Sequence, residues 1–466
     1  MLIAVIHLIV VGHVFTFGFL VDPFMKTFTI VNGTTIVNST ELSLTYVSSI
    51  GTIQIGLFTG LQFLTALAFT YRTEVQFSKW PESFVIFGIV CWFSGTFAST
   101  YTTSGPELFG VYATLTGVGS ALIYWTTLAM ITDIDAGDKT LTFVLTFGGL
   151  GQLLFSILVA PYYTLEYVDG FGATEQSWKI TLRAVAILGF CLMTICIGII
   201  AALRLNICCV TERRQVEYTP VSIQQSLSQS NVVKLNRIFL FGSPNVYAMT
   251  AYWLLVKTTL MSGFAMYAPY VQLVEFMLNL SPPLTTFETT LVLMLVAITS
   301  IIGRGVLIFV PFCFGRRVSR EYMLWPYILL IVQIYNVVVI GCWQVIYSYA
   351  GAMIFAAFFG LGFGILFGTT LLLTKDFSRQ VYCKNGELNL RQNTFALHLI
   401  PISLAMAISA VGAGTVFGAI FDACNADGTG YLCAINSAMG FQLAAVLTSA
   451  FFVHFTWKAK NFKSRI

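Results

Sequence analysis

Residues 117–133 read GVGSALIYWTTLAMITD, and residues 360–376 read GLGFGILFGTTLLLTKD. At the constant offset of 243 the pairs Gly117/Gly360, Gly119/Gly362, Thr126/Thr369, Thr127/Thr370, Leu128/Leu371 and Asp133/Asp376 are identical. Glycine-rich apolar helices can resemble each other by composition alone, but a Thr-Thr-Leu triplet and a terminal Asp in one register point to a duplicated unit. Both copies lie in apolar runs that reach the ~20 residues a helix needs to cross ~30 Å of hydrocarbon.

Outward from these two copies, ten further apolar runs fill the chain. The spans are read at 2–24, 43–70, 82–101, 107–131, 141–165, 180–203, 244–270, 285–311, 323–345, 349–374, 393–420 and 437–457. Of the 466 residues 57% are hydrophobic and only 9% charged, and the mean hydropathy is +0.82, so lipid is the working solvent. No alternating strand pattern is present, and a bilayer leaves unpaired backbone groups without partners, so the spans are helices. The expected fold is an all-α membrane protein with twelve transmembrane helices in two six-helix halves. The first half covers 1–203, a cytoplasmic linker 204–243, the second half 244–457 and a cytoplasmic tail 458–466. The linker contains TERRQVEYTPVSIQQSLSQS, too poor in apolar residues to pack.

With the amino terminus inside, all but Lys26, Lys179, Arg183, Lys257 and Arg304 of the 24 lysines and arginines fall on the cytoplasmic side. That bias sets both termini in the cytoplasm. It also accounts for the net charge of +4 without invoking nucleic acid. The sequons at Asn32, Asn38 and Asn279 then fall outside; Pro282 makes the third a poor acceptor, leaving Asn32 and Asn38 as expected glycosylation sites. Cys424 and Cys433 share the last external loop and are candidates for a disulfide, with free thiols the alternative. No basic leader or cleavage site precedes the first span, which argues against a removable signal peptide. No metal-ligand spacing, nucleophile elbow or phosphate-cradling loop is present, so neither an enzyme nor a bound cofactor is expected.

The chemistry is concentrated in two cations inside the spans, Arg304 in the eighth and Lys257 in the seventh. A charge at a helix centre costs roughly 2.5–3.5 kcal/mol on insertion scales, so such residues face a bundle interior and mark a pathway. Two cations with few acids nearby favour an anion, and the planar guanidinium of Arg304 matches a carboxylate's two oxygens. Arg304 could instead clamp helix-end carbonyls, and Lys257 could pair with Asp22 or Glu107. Asp22, Lys257 and His13 are the proton-coupling candidates; His7 and His398 also titrate within spans. Tyr124, Trp125, Thr126, Thr369 and Thr370 are candidates to line the cavity or to pack. Gly148, Gly149 and Gly151, like Gly360, Gly362, Gly364 and Gly368, let helix backbones approach.

Several stretches resemble the monocarboxylate transporters of the major facilitator superfamily. They are GHVFTFGF in the first span, GVGSALIYWTTLAMI in the fourth, FGGLGQLLFSILVAP in the fifth, MYAPYVQLV in the seventh, AITSIIGR in the eighth, and GAGTVFGAIFDACNADGTGY after the eleventh. Ser177-Trp178-Lys179 is similar to the family's Gly-Trp-Arg, and Asp422 with Tyr431 to its closing acid and tyrosine. The resemblance implies parallel six-helix repeats with a substrate site between them. It makes Arg304 the carboxylate-binding arginine, and it allows a single-span accessory partner. Where proton-coupled members carry an Asp one turn before that arginine, this chain has Ser300. Where they carry a first-span lysine, it reads Asp22-Pro23-Phe24-Met25.

The expectation is thus a multi-pass plasma-membrane carrier for a small organic anion, working by alternating access with or without proton symport. Two alternatives stay open. One is a facilitative carrier of a neutral or zwitterionic solute such as an aromatic amino acid; the other is a non-transporting receptor on a carrier scaffold.

Overall fold

A computed structural model describes residues 1–20, 23–24, 44–62, 65, 81–133, 138–159, 162, 166–168, 174–215, 246–321, 324–382, 394–425 and 429–463. Among the described residues twelve helical rods stand, one for each expected span. They are α1 (Leu2–Phe15), α2 (Leu44–Gly60), α3 (Pro81–Ala98), α4 (Gly117–Asp133), α5 (Asp138–Leu158) and α6 (Ser177–Gln215) in the first half. In the second are α7 (Val246–Leu278), α8 (Thr286–Glu321), α9 (Leu324–Cys342), α10 (Tyr349–Tyr382), α11 (Thr394–Asn425) and α12 (Gly430–Lys463). Among the described residues eight rods are long and apolar enough to cross a membrane, and Leu2–Phe15 and Phe143–Leu158 are shorter apolar helices.

Several helices outrun the apolar runs that announced them. Once out of lipid a helix needs only ordinary helix formers, so α6 continues through Arg213 to Gln215, into the stretch expected to be linker. The described part of the fifth rod ends at Leu158, and beyond it β1 (Glu166–Val168) pairs antiparallel with β2 (Thr174–Gln176). These short strands are the departure from the expected all-helical reading among the described residues.

Local chemistry fixes the starts. Ser104 caps the short helix Gly105–Leu108, which runs through the π-helical segment Phe109–Thr116 into α4. Thr285 and Glu288 form a capping box on α8: the Thr285 amide donates to Glu288 Oε2 at 2.8 Å, and the Glu288 amide donates to Thr285 Oγ1 at 3.2 Å. Glu107 is engaged likewise, accepting from the Thr103 amide at 3.0 Å. It is a helix cap rather than an ion-pair partner for Lys257.

The helices bury polar groups and expose apolar ones. Leu188, Leu192, Ile195 and Ile199 make an exposed stripe on α6, and Tyr327, Ile331, Ile334 and Val338 another on α9, while Gln54, Gln333, Asn336, Thr369 and Gln442 are buried. This inversion fits a chain solvated by acyl chains, and the protein is an integral multi-pass membrane protein.

Packing repeats between the halves. Within the first, α1 packs on α5, α2 on α4, α3 on α4 and α3 on α6; within the second, α7 on α11, α8 on α10, α9 on α10 and α9 on α12. The halves meet where α2 packs on α11 and α5 on α8, contacts that a shift of six helices interchanges. The duplicated glycines explain part of this. A methyl on Gly117 would meet Gln54 and Leu57 of α2, and one on Gly360 would meet Val296 and Thr299 of α8. One on Gly119 would meet Gly88 and Trp92 of α3, and one on Gly362 would meet Tyr335 and Asn336 of α9. Each glycine pair therefore does the same packing job in both copies.

Candidate functional site

Arg304 sits where the halves meet. Its neighbours on α8 pack closely on α10: a methyl on Gly303 would meet the Leu361 carbonyl, and one on Gly364 the Ser300 carbonyl. Held in this seam, the Arg304 side chain is only 3% exposed. Its Nη1 crosses to the other half and donates to the Leu145 carbonyl of α5 at 2.9 Å. Gly149, one turn along α5, leaves the room; a methyl there would lie 3.2 Å from Nη1. The guanidinium carbon lies 5.3 Å from the ring centre of Phe367 on α10, a cation–π contact. Tyr124 of α4 and Tyr270 of α7 complete its electrostatic surroundings, and no carboxylate among the described residues pairs with it. Nε has no hydrogen-bond partner among them.

Two more orphaned polar groups adjoin it. The Tyr270 hydroxyl and Gln152 Oε1 of α5 are buried without hydrogen-bond partners among the described residues. They lie beside each other, close enough to interact but without hydrogen-bond geometry. Pro269 in α7 removes one backbone rung immediately before Tyr270. A buried cation with free donor capacity, beside two unsatisfied polar groups, is a poor apolar core and a good anion receptor.

Aromatic rings from both halves surround this spot. Tyr124 lies 5.0 Å from Phe58 of α2, and Phe58 lies 6.3 Å from Phe15 of α1. Phe15 reaches the second half, 6.0 Å from Tyr270 and 6.4 Å from Phe363 of α10. On α10 the rings of Phe355, Phe359, Phe363 and Phe367 recur every fourth residue and stack in a ladder ending at Arg304.

The other expected residues distribute unevenly. Lys257 does not join Arg304: its side chain is exposed while Leu255, Thr258 and Thr259 around it are buried, so it projects away from the packed core. Trp125 is structural, its indole donating to the Phe58 carbonyl at 2.7 Å and tying α4 to α2. Thr126 and Thr369 are buried hydroxyls at equivalent positions, each without a partner among the described residues. Thr370 bonds its own helix at the Leu366 carbonyl. His13 is enclosed within the first half, 5.2 Å from Trp92 and 5.7 Å from Tyr112 by ring centres, so it lies apart from the Arg304 cluster. His7 is nearer to it, with Nε2 2.8 Å from Thr127 Oγ1 and its ring 4.3 Å from that of Tyr124. The sulfurs of Cys424 and Cys433 are joined as a disulfide, with Cα atoms 6.5 Å apart. Asp22, Asn32 and Asn38 lie outside the described residues.

Phe367, Tyr270, Gln152 and Leu145 were not singled out from sequence. For Phe367 a signal exists: it stands 243 residues after Tyr124, and both copies deliver an aromatic ring to Arg304.

Neither a family model nor a curated protein matches the sequence. In structure the chain is similar to a Major Facilitator Superfamily transporter, FucP, solved in the outward conformation, at a TM-score of 0.58 and 13% identity. The match covers 98% of this chain and 97% of that one. With the repeated packing of its two halves, the chain has the major facilitator fold.

Proposed function

We propose that this chain is a carrier that moves a small organic monoanion, a carboxylate, across a membrane by alternating access. The observation that carries the reading is Arg304: a buried guanidinium at the contact of the two halves, with spare donors and no acid beside it among the described residues. An arriving carboxylate takes the place of the Leu145 carbonyl and the empty side of the fork. The bond that ties α8 to α5 is thereby exchanged for one to cargo, which gives binding a direct effect on how the halves sit. In this reading the termini face the cytoplasm, the membrane is the plasma membrane, and Asn32 and Asn38 carry glycans outside.

Uptake of labelled pyruvate and labelled phenylpyruvate into proteoliposomes, with and without an inward proton gradient, tests it against Arg304→Gln. Saturable uptake lost in the variant is expected, and stimulation by the gradient reports symport. Failure of folded native protein to take up either acid, or uptake indifferent to the substitution, overturns the proposal.

A further inference from the structure

We infer that the cargo is a monovalent carboxylate with a flat aromatic body and one further polar substituent; this rests on the anion reading above and narrows it. The charge count comes first. Arg304 is the one cation among the described residues in the cluster, so a second carboxylate or a phosphate would bring a buried charge with no partner.

The rings come second. Phe367, Tyr124 and Tyr270 flank the guanidinium, and Phe363, Phe15 and Phe58 join them ring to ring, so the cluster draws on five helices and both halves. Phe15 touches Tyr270 and Phe363 across the interface. When the halves part, Phe15 loses Tyr270 and Phe363, and a planar ring entering between them restores offset and edge-to-face contacts at centre distances like the 6.0 Å of Phe15 and Tyr270. A two- or three-carbon acid held at Arg304 leaves those faces bare.

The orphaned groups come third. Arg304 Nε, Tyr270 Oη and Gln152 Oε1 come from three helices, and each is buried without a partner among the described residues. Two ring faces packed for structure alone would be better served by apolar atoms at the Tyr270 and Gln152 positions. The Arg304 fork takes the carboxylate, while the Tyr270 hydroxyl is placed to donate to a keto or hydroxyl oxygen on the body and Gln152 Oε1 to accept from a hydroxyl there. The same pattern disfavours a neutral aromatic solute, which would leave the guanidinium uncompensated.

Concentration-dependent uptake by the native protein decides it, with labelled phenylpyruvate, pyruvate and succinate compared in one preparation. Phenylpyruvate is expected to half-saturate at a concentration at least about tenfold below pyruvate, with no saturable succinate uptake. Phe363→Leu, which removes a ring but keeps apolar volume, is expected to shrink the phenylpyruvate-to-pyruvate ratio. Equal affinity for the two monocarboxylates, or saturable succinate uptake, overturns this inference and leaves the anion reading standing. Absence of uptake of either monocarboxylate sinks both.

Discussion

Gly149 and Gly151 stand two residues apart on α5 and face opposite ways, so alanine at each separates packing from transport. At Gly151 a methyl would lie against the Leu8 carbonyl oxygen of α1 and at 2.6 and 2.7 Å from Leu8 C and Cα, all backbone atoms with no rotamer to escape into. The helices must separate. Overpacking of this kind costs about 1–3 kcal/mol, and the upper part of that range applies where backbone blocks the way. Alanine returns about 0.5–1 kcal/mol through helix propensity. The net for Gly151→Ala is a destabilisation of about 1–2 kcal/mol. For a unit of some 200 residues, that lowers the melting temperature by roughly 2–8 °C.

At Gly149 the same methyl meets side-chain rather than backbone atoms, Ile301 Cγ1 at 2.9 Å and Arg304 Nη1 at 3.2 Å. Those atoms can shift by a few tenths of an ångström, so propensity offsets the crowding and the melt stays close to native. The guanidinium, however, is pushed from its bond to Leu145. Gly149→Ala is therefore expected to lose uptake while keeping its fold. Melting by size-exclusion chromatography after heating, run beside the uptake assay, reads both quantities. A Gly151→Ala protein that melts at or above the native temperature would refute the close-packed α1–α5 seam. A Gly149→Ala protein with native uptake would refute the placement of Arg304 against it.

Trp125→Phe removes the 2.7 Å bond to the Phe58 carbonyl while keeping a ring, and a loss of about 1 kcal/mol is expected in the same thermal assay. Thr127→Val strips His7 Nε2 of its 2.8 Å partner, at a cost of about 1–3 kcal/mol for a buried unsatisfied group. Its counterpart Thr370→Val loses only a bond within its own helix and should melt within about 0.5 kcal/mol of native; equal losses would contradict the assignment. Peptides carrying Cys424 and Cys433, digested without reductant, are expected to weigh two hydrogens less than after reduction, by mass spectrometry.

Reading depth in the membrane from sequence is easier than reading direction around a helix. The spans were legible because hydrocarbon demands an unbroken apolar run, and Arg304 was legible because a charge in such a run needs a reason. Lys257 has the same signature, yet its side chain turns away from the core. Helix α7 is apolar on most of its circumference, so no polar face marks which side lines the interior. Tyr270 and Gln152 were illegible for another reason: they come from different halves, and only the docking of those halves brings them together.

The duplication carries one step more. Tyr124 and Phe367 are equivalent residues and both reach Arg304, but the residue equivalent to Arg304 at the same offset is Leu61. The scaffold is symmetric and its charge is not. In the proposed mechanism an anion is consequently held by the second half throughout, while the first half offers only rings, Gln152 and the Leu145 carbonyl. Rocking then changes which of those neighbours the cargo meets without ever requiring the carboxylate to leave its arginine until the far side opens. A carrier built this way should tolerate changes of ring in the first half better than any change of cation in the second. Phe58→Leu is expected to weaken affinity several-fold, whereas Arg304→Lys, which keeps charge but loses the planar fork, is expected to lose tenfold or more. Uptake kinetics of the two variants side by side check this, and the reverse order would place the anion on the first half instead.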